Sequence, residues 1–145
     1  MDTHTIDEAI EKYVNERMVT GKEIAYEHFL AYTYMKHQGK EIAEFMTKVK
    51  GLSRYYIDFL KVMQNPFKGP ELAWFASMLS IAIYSGLLLA SEEQWPLGIS
   101  LLVGTVINAL YLISYTAKKW CDMNVMIAIY GEIVQIAEQE LETLA

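Results

Sequence analysis

Cysteine occurs once, at Cys121, so the chain can close no internal disulfide and hold no cysteine-based zinc cluster. Arginine occurs only at Arg17 and Arg54, and the net charge is −6. Nucleic acid binding depends on surplus basic surface that displaces counterions from phosphate, and the absence of that surplus argues against a nucleic-acid partner. Three prolines and eight glycines in 145 residues leave few interruptions. There is no Asn-Gly or Asp-Gly hairpin signal and no sustained alternation of apolar and polar residues, which removes the main signatures of strands. The length fits one domain with one good core. The opening stretch MDTHTIDEAIEKYVNER is polar and charged, unlike a secretory signal or an Arg-rich transit peptide.

The most informative absence is of charge. No Asp, Glu, Lys, Arg or His occurs from Leu72 to Ala90, and none from Trp95 to Ala117. About 20 apolar residues at 1.5 Å rise cross a hydrocarbon layer of roughly 30 Å. Both LAWFASMLSIAIYSGLLLA and WPLGISLLVGTVINALYLISY have that length. A core helix of a soluble bundle usually keeps a charged stripe where it meets water. The pair therefore reads as a membrane hairpin, and Glu92 and Glu93 mark the one place between the spans where the chain meets water. Lys61 and Lys68 precede the hairpin, Lys118 and Lys119 follow it, and the turn has no basic residue. Basic flanks favour the cytoplasmic side, so both termini are expected there. Trp74, Trp95, Tyr115 and Trp120 fall at or near the span ends, where amphipathic rings favour the interface. Pro96 suits a first helical turn, and the glutamates before it complement the positive helix end.

What remains reads as amphipathic helix. Thr5 with Glu8 and Thr20 with Glu23 fit the capping-box spacing and predict two helix starts. The first helix presents Ile6, Ile10, Tyr13 and Val14, and the second Ile24, His28, Ala31 and Met35, ending near Gln38-Gly39. A third helix is expected from about Lys40 to Gln64, stopped by Asn65-Pro66. Its residues Ile42, Phe45, Val49, Leu52, Tyr56, Phe59 and Met63 keep coiled-coil-like 3,4 spacing. So do Trp120, Met123, Ile127, Tyr130, Val134, Ala137, Leu141 and Leu144, with Met126, Ile129, Ile133 and Ile136 widening the same face. Tyrosine and tryptophan in these seams suit a globular bundle better than a tight coiled-coil dimer.

Few residues suggest chemistry. A di-iron bundle needs Glu-x-x-His pairs, and none exists; Glu27 and His28 are neighbours that point about 100° apart on a helix. No phosphate loop, nucleophile elbow or zincin motif is present, so no catalytic, cofactor or metal residue is assigned. The helix-spaced row Ser100, Gly104, Asn108, Tyr111 and Tyr115, with Ala73, Ser77, Ser80 and Tyr84 on the other span, lets membrane helices approach and hydrogen-bond. The same face, with Glu92 and Glu93 at its mouth, suits a polar pathway in a homo-oligomer, since one two-span chain encloses no pore.

The order of amphipathic helix, span, short acidic turn, span and continuing helix resembles, in outline, calcium-uniporter-type channels and two-span effectors of bacterial immune systems. The uniporter motif of Trp-Asp and Glu-Pro is absent, and Trp95-Pro96 follows Glu92-Glu93 instead, so the likeness is one of layout and assigns no family. The expectation is an all-α chain. Residues 1–66 form a cytoplasmic helical region, and 70–117 a two-span hairpin. The long C-terminal helix continues out of the hairpin, and its 118–145 stretch packs on the 40–64 helix. The leading functional expectation is a non-enzymatic protein that self-associates in the lipid bilayer and forms a pore or perturbs the membrane. The alternatives are a membrane scaffold or viral structural component, and a soluble bundle with a buried apolar hairpin.

Overall fold

The structure is a computed structural model that describes residues 3–65 and 70–145. The described residues form five α-helices and no strand: α1 (Thr3–Thr20), α2 (Lys22–Lys36), α3 (Lys40–Met63), α4 (Pro70–Leu89) and α5 (Trp95–Leu144). Pro66 and Lys68, which the sequence reading used as a helix stop and a basic flank, lie outside the described residues. Two glycines make the early breaks. Gly21 has φ 96° and Gly39 φ 58°, a left-handed backbone that a residue with a Cβ rarely adopts. The expected capping boxes are not what starts the helices. Thr5 lies inside α1, and Thr20 ends it, its hydroxyl donating to the Glu16 carbonyl at 2.7 Å. Gly21 then caps α2 without any side-chain bond. Pro70 and Pro96 sit in first turns, where a missing N–H costs nothing. Beyond Pro96 nothing breaks α5, which runs 50 residues through Gly131.

The chain divides into two compact units, Met1–Lys61 with Asn124–Ala145, and Val62–Met123. The first is a four-helix assembly. Ile6, Ala9, Ile10, Tyr13 and Val14 of α1 are buried, as their spacing predicts. They meet Ala25 and Phe29 of α2, Ile42, Phe45, Met46 and Val49 of α3, and Ile129, Ile133, Ile136 and Ala137 of α5. Phe29 lies between Tyr13 and Phe45, with ring centroids 5.8 and 6.4 Å away. The His37 ring stacks on Phe45 at 4.5 Å. Each such aromatic or aliphatic side chain stabilises the fold by about 1.5–3 kcal/mol when buried.

The structure corrects three expected faces. On α2 the buried row is Ala25, Phe29 and Thr33, whereas the expected Ile24, His28, Ala31 and Met35 are all exposed, Met35 to 84%. On α3 the seam is buried only as far as Val49, with Leu52 partly covered, and Phe59 and Met63 are exposed. On α5 the stripe expected to widen the seam carries most of the core: Ile129, Ile133 and Ile136 are buried, as is Ala137 of the seam itself, while Tyr130 and Leu141 of the seam are only partly so. The reason is common to all three. The core is shared among four helices, so the face that points to its centre wins over the face that fits a single partner.

Polar contacts fix the antiparallel register of α3 on the C-terminal part of α5. Lys50 and Arg54 both reach Glu138, at 3.2 and 2.7 Å, and the Tyr56 and Tyr130 rings are 5.3 Å apart. Tyr56 also donates to Asp7 of α1 at 2.6 Å, and that bond with partial burial pushes its phenol up to about 12. The central pair is Glu132 with Arg17. The guanidinium donates twice, at 2.9 and 3.2 Å, and the Tyr13 hydroxyl adds a third bond at 3.0 Å. Burial alone would raise the Glu132 carboxyl, but these donors outweigh it and hold its pKa below the usual value. Burial first, and the Glu132 carboxylate second, push the Tyr13 phenol far above its usual range.

Candidate functional site

The second unit, Val62–Met123, contains α4 and the first part of α5 as an antiparallel hairpin. Its tip closes through backbone bonds from Ser91 N–H to the Leu88 carbonyl and from Gly98 N–H to the Gln94 carbonyl, each 3.1 Å. Gly98 makes the close approach. A Cβ there would come within 2.9 Å of the Leu89 nitrogen and 3.0 Å of the Ser85 carbonyl oxygen. Ser85 is fully buried beneath it, its hydroxyl donating to the Ile81 carbonyl at 2.8 Å. Leu88 and Leu112 are the buried apolar residues of the interhelical seam. At the other end Lys119 Nζ meets Glu71 Oε1 at 2.7 Å, and the rings of Trp74 and Tyr115 lie 6.5 Å apart.

The outer surface of the hairpin is apolar on both helices. Phe75, Leu79 and Leu87 of α4 and Ile107, Leu110 and Ile113 of α5 are all exposed. In the most apolar 18-residue window of each helix only 11% of the residues are buried. A soluble monomer rarely exposes an apolar patch beyond a few hundred Å². The wrapped hairpin expected for a soluble bundle is therefore not what these helices show: both are long and apolar enough to cross a membrane, and both are open. The backbone of both helices is paired within the helix, and the hydroxyls of Ser77, Ser80, Ser100 and Thr105 each donate to the carbonyl four residues back, at 2.7–3.0 Å, an arrangement that hydrocarbon would tolerate.

The residues expected to form a polar face are distributed along this hairpin. Asn108 and Tyr111 line an open-sided cavity of about 250 Å³ with Ser77, Trp74, Met78 and Leu112. Ser100 is exposed nearer the tip, and a Cβ on Gly104 would meet nothing within 4 Å. Glu92 and Glu93 are exposed in the turn. The structure thus brings Asn108, Tyr111 and Ser77 together and leaves Ser100 and Gly104 on the open surface of the same helix. The close-packing glycine within the chain is Gly98. Sequence reasoning passed over it, and also over the Glu71–Lys119 pair, which the charge-free spans leave as the first acid before one apolar stretch and one of the two lysines just after the other.

A second, larger cavity of about 440 Å³ lies near the open end of the hairpin, floored by the buried Leu112 and walled by Phe75, Ile113 and Trp120. Among the described residues no group of three or more His, Cys, Asp or Glu side chains is placed to hold a metal ion. His28, in the acidic cluster of α2 and α3, pairs with Glu16 at 2.9 Å. Comparison of the chain with known protein families, curated proteins and solved structures found no match.

Proposed function

We propose that this chain is a non-enzymatic integral membrane protein that lies in the bilayer through the α4–α5 hairpin and self-associates there. The observation that carries the proposal is the open apolar surface around both helices, a liability in water and a match to lipid. In the sequence Lys61 precedes the hairpin and Lys118 and Lys119 follow its second apolar stretch, while the tip has Glu92 and Glu93 and no basic residue. That asymmetry favours a cytoplasmic open end, with both termini on that side.

Self-association follows from the cavity at Asn108. An amide left unpaired in hydrocarbon costs a few kcal/mol, and lipid tails offer it no partner. Asn108, Tyr111 and Ser77 open outward from the hairpin, where the same face of a second copy supplies donors and acceptors. A ring of such hairpins would carry Glu92 and Glu93 at its mouth, a cation-attracting arrangement.

Reconstitution into liposomes tests this. The proposal expects cation conductance above background, reduced by Glu92→Gln with Glu93→Gln and lost with Asn108→Leu, which also breaks the oligomer seen by crosslinking. Regular assemblies that stay silent at every tested potential would replace the pore with a membrane scaffold. Monomers in every detergent and lipid would end both.

A further inference from the structure

We propose that the 440 Å³ cavity at the open end of the hairpin is a seat for one phospholipid molecule with a zwitterionic head, and this rests on the membrane reading above. The volume lies within the range of roughly 300–1,000 Å³ found for small-molecule sites and suits one acyl chain, the rest of the lipid lying outside the recess. The walls are chain-like in chemistry: Leu72 and Phe75 from α4, and Leu112, Ile113 and Ala117 from α5, with no charge among them. Leu112 is buried at the floor, so the space is a recess between two helices and not the convex surface that a helix ordinarily shows to lipid. Trp120 closes the end nearest the predicted interface, where an indole favours the head-group level.

The rim gives the head-group preference. Glu71, which lines the cavity, is paired to Lys119 through one carboxylate oxygen at 2.7 Å. The ammonium keeps donors beyond that bond, and the carboxylate, which also accepts from its own backbone N–H, keeps lone pairs and its negative charge. The pair is neutral as a whole and presents one site of each sign. A zwitterionic head matches it, with phosphate on the Lys119 side and the ammonium group of the lipid on the Glu71 side. A net-anionic head would meet the carboxylate unfavourably. The acyl chain would then lie along Phe75, Ile113 and Leu112.

The test purifies the full chain from vesicles of equal parts phosphatidylcholine and phosphatidylglycerol into detergent and counts retained lipid by native mass spectrometry. Membrane residence is scored separately, by resistance of the same vesicles to alkaline carbonate. The expected result is one phosphatidylcholine per chain, reduced at least tenfold by Ala117→Phe, which fills the recess. Glu71→Gln removes the carboxylate while leaving Lys119, and shifts retention towards phosphatidylglycerol. Helicity by circular dichroism and carbonate resistance are expected to hold in both variants. A chain that resists carbonate but retains no lipid overturns the lipid seat and leaves the membrane reading standing. So does equal retention by Ala117→Phe, or a lipid-free dimer that this substitution dissolves, which would assign the recess to a second copy. Release of the wild-type chain by carbonate removes the membrane reading itself.

Discussion

The two units of this chain use opposite rules for what is buried. In the four-helix unit large apolar side chains fill the core, with Tyr13, Phe45, Met46 and Ile133 at its centre and the small Ala25, Thr33, Ser53 and Ala137 packed among them, while ion pairs such as Glu132–Arg17 and Glu138–Arg54 lie towards the surface. In the hairpin unit the order is inverted. Ser85 is fully buried and Glu71 nearly so, while most leucines, isoleucines and aromatic residues other than Leu88 and Leu112 face outward. Each arrangement is stable only in a different solvent. Water drives large apolar groups together and leaves charges outside. Hydrocarbon gives no such drive, so helices there meet through small residues that allow close approach, as at Gly98. A sequence holding both patterns is what a chain facing both water and lipid would show.

Substitutions that obey one rule and break the other separate the units. The largest effect is expected from Phe45→Ala, which empties the centre of the four-helix core. A loss of about 3–5 kcal/mol is expected, read as a lowered unfolding midpoint in detergent with the hairpin still membrane-bound. Ile107→Lys comes next. Ile107 is 62% exposed, so in water a lysine there would be harmless, but at mid-membrane it costs about 2.5–3.5 kcal/mol. The expected outcome is a reduced inserted fraction in a glycosylation-mapping assay; unchanged insertion would remove lipid as the solvent of that face. Gly98→Ala forces a Cβ against backbone atoms of α4 and is expected to cost about 1–3 kcal/mol, opening the tip without affecting the other unit. Cysteine crosslinking across the tip reads this out.

The smallest effects come from titration of the four-helix unit. Glu132 has a pKa held below its unfolded value of 4.5, so its ionised form stabilises the fold. That contribution is present above pH 4.5 and fades as pH falls through the lower native value. Tyr56 runs the other way, raised from 10.0 to about 12. Its contribution is present below pH 10 and is lost as pH climbs towards 12. A stability plateau between these limits is expected by chemical denaturation. Glu132→Gln should flatten the acid edge and Tyr56→Phe the alkaline edge, and an unchanged acid edge would remove Glu132 from the account.

The sequence made the two long apolar helices and α1 legible because each carries an unambiguous pattern: no charge in one case, a single apolar face in the other. The face of α2 was not legible. Ile24, Ala25, Phe29, Leu30, Ala31, Tyr32 and Met35 place apolar groups all around that helix, so periodicity gives no phase, and the packing of Phe29 between two rings decides it. The half-buried seam of α3 was hidden for another reason. Spacing records which residues share a side, and it does not record where along the helix a partner stops. Thr20 satisfied a capping pattern but spends its hydroxyl on the turn behind it. Asn108 and Tyr111 were legible as neighbours because helical spacing alone sets them on one face; the recess by Trp120 needed the second helix.

The most direct measurement is the partition of the full chain after membranes are washed with alkaline carbonate and then with high salt. The account predicts that the protein stays in the pellet through both washes and leaves it only with detergent. Recovery in the supernatant as a monodisperse particle in plain buffer would contradict it, because the outward leucines and isoleucines of α4 and α5 would then have to be hidden from water by some other packing.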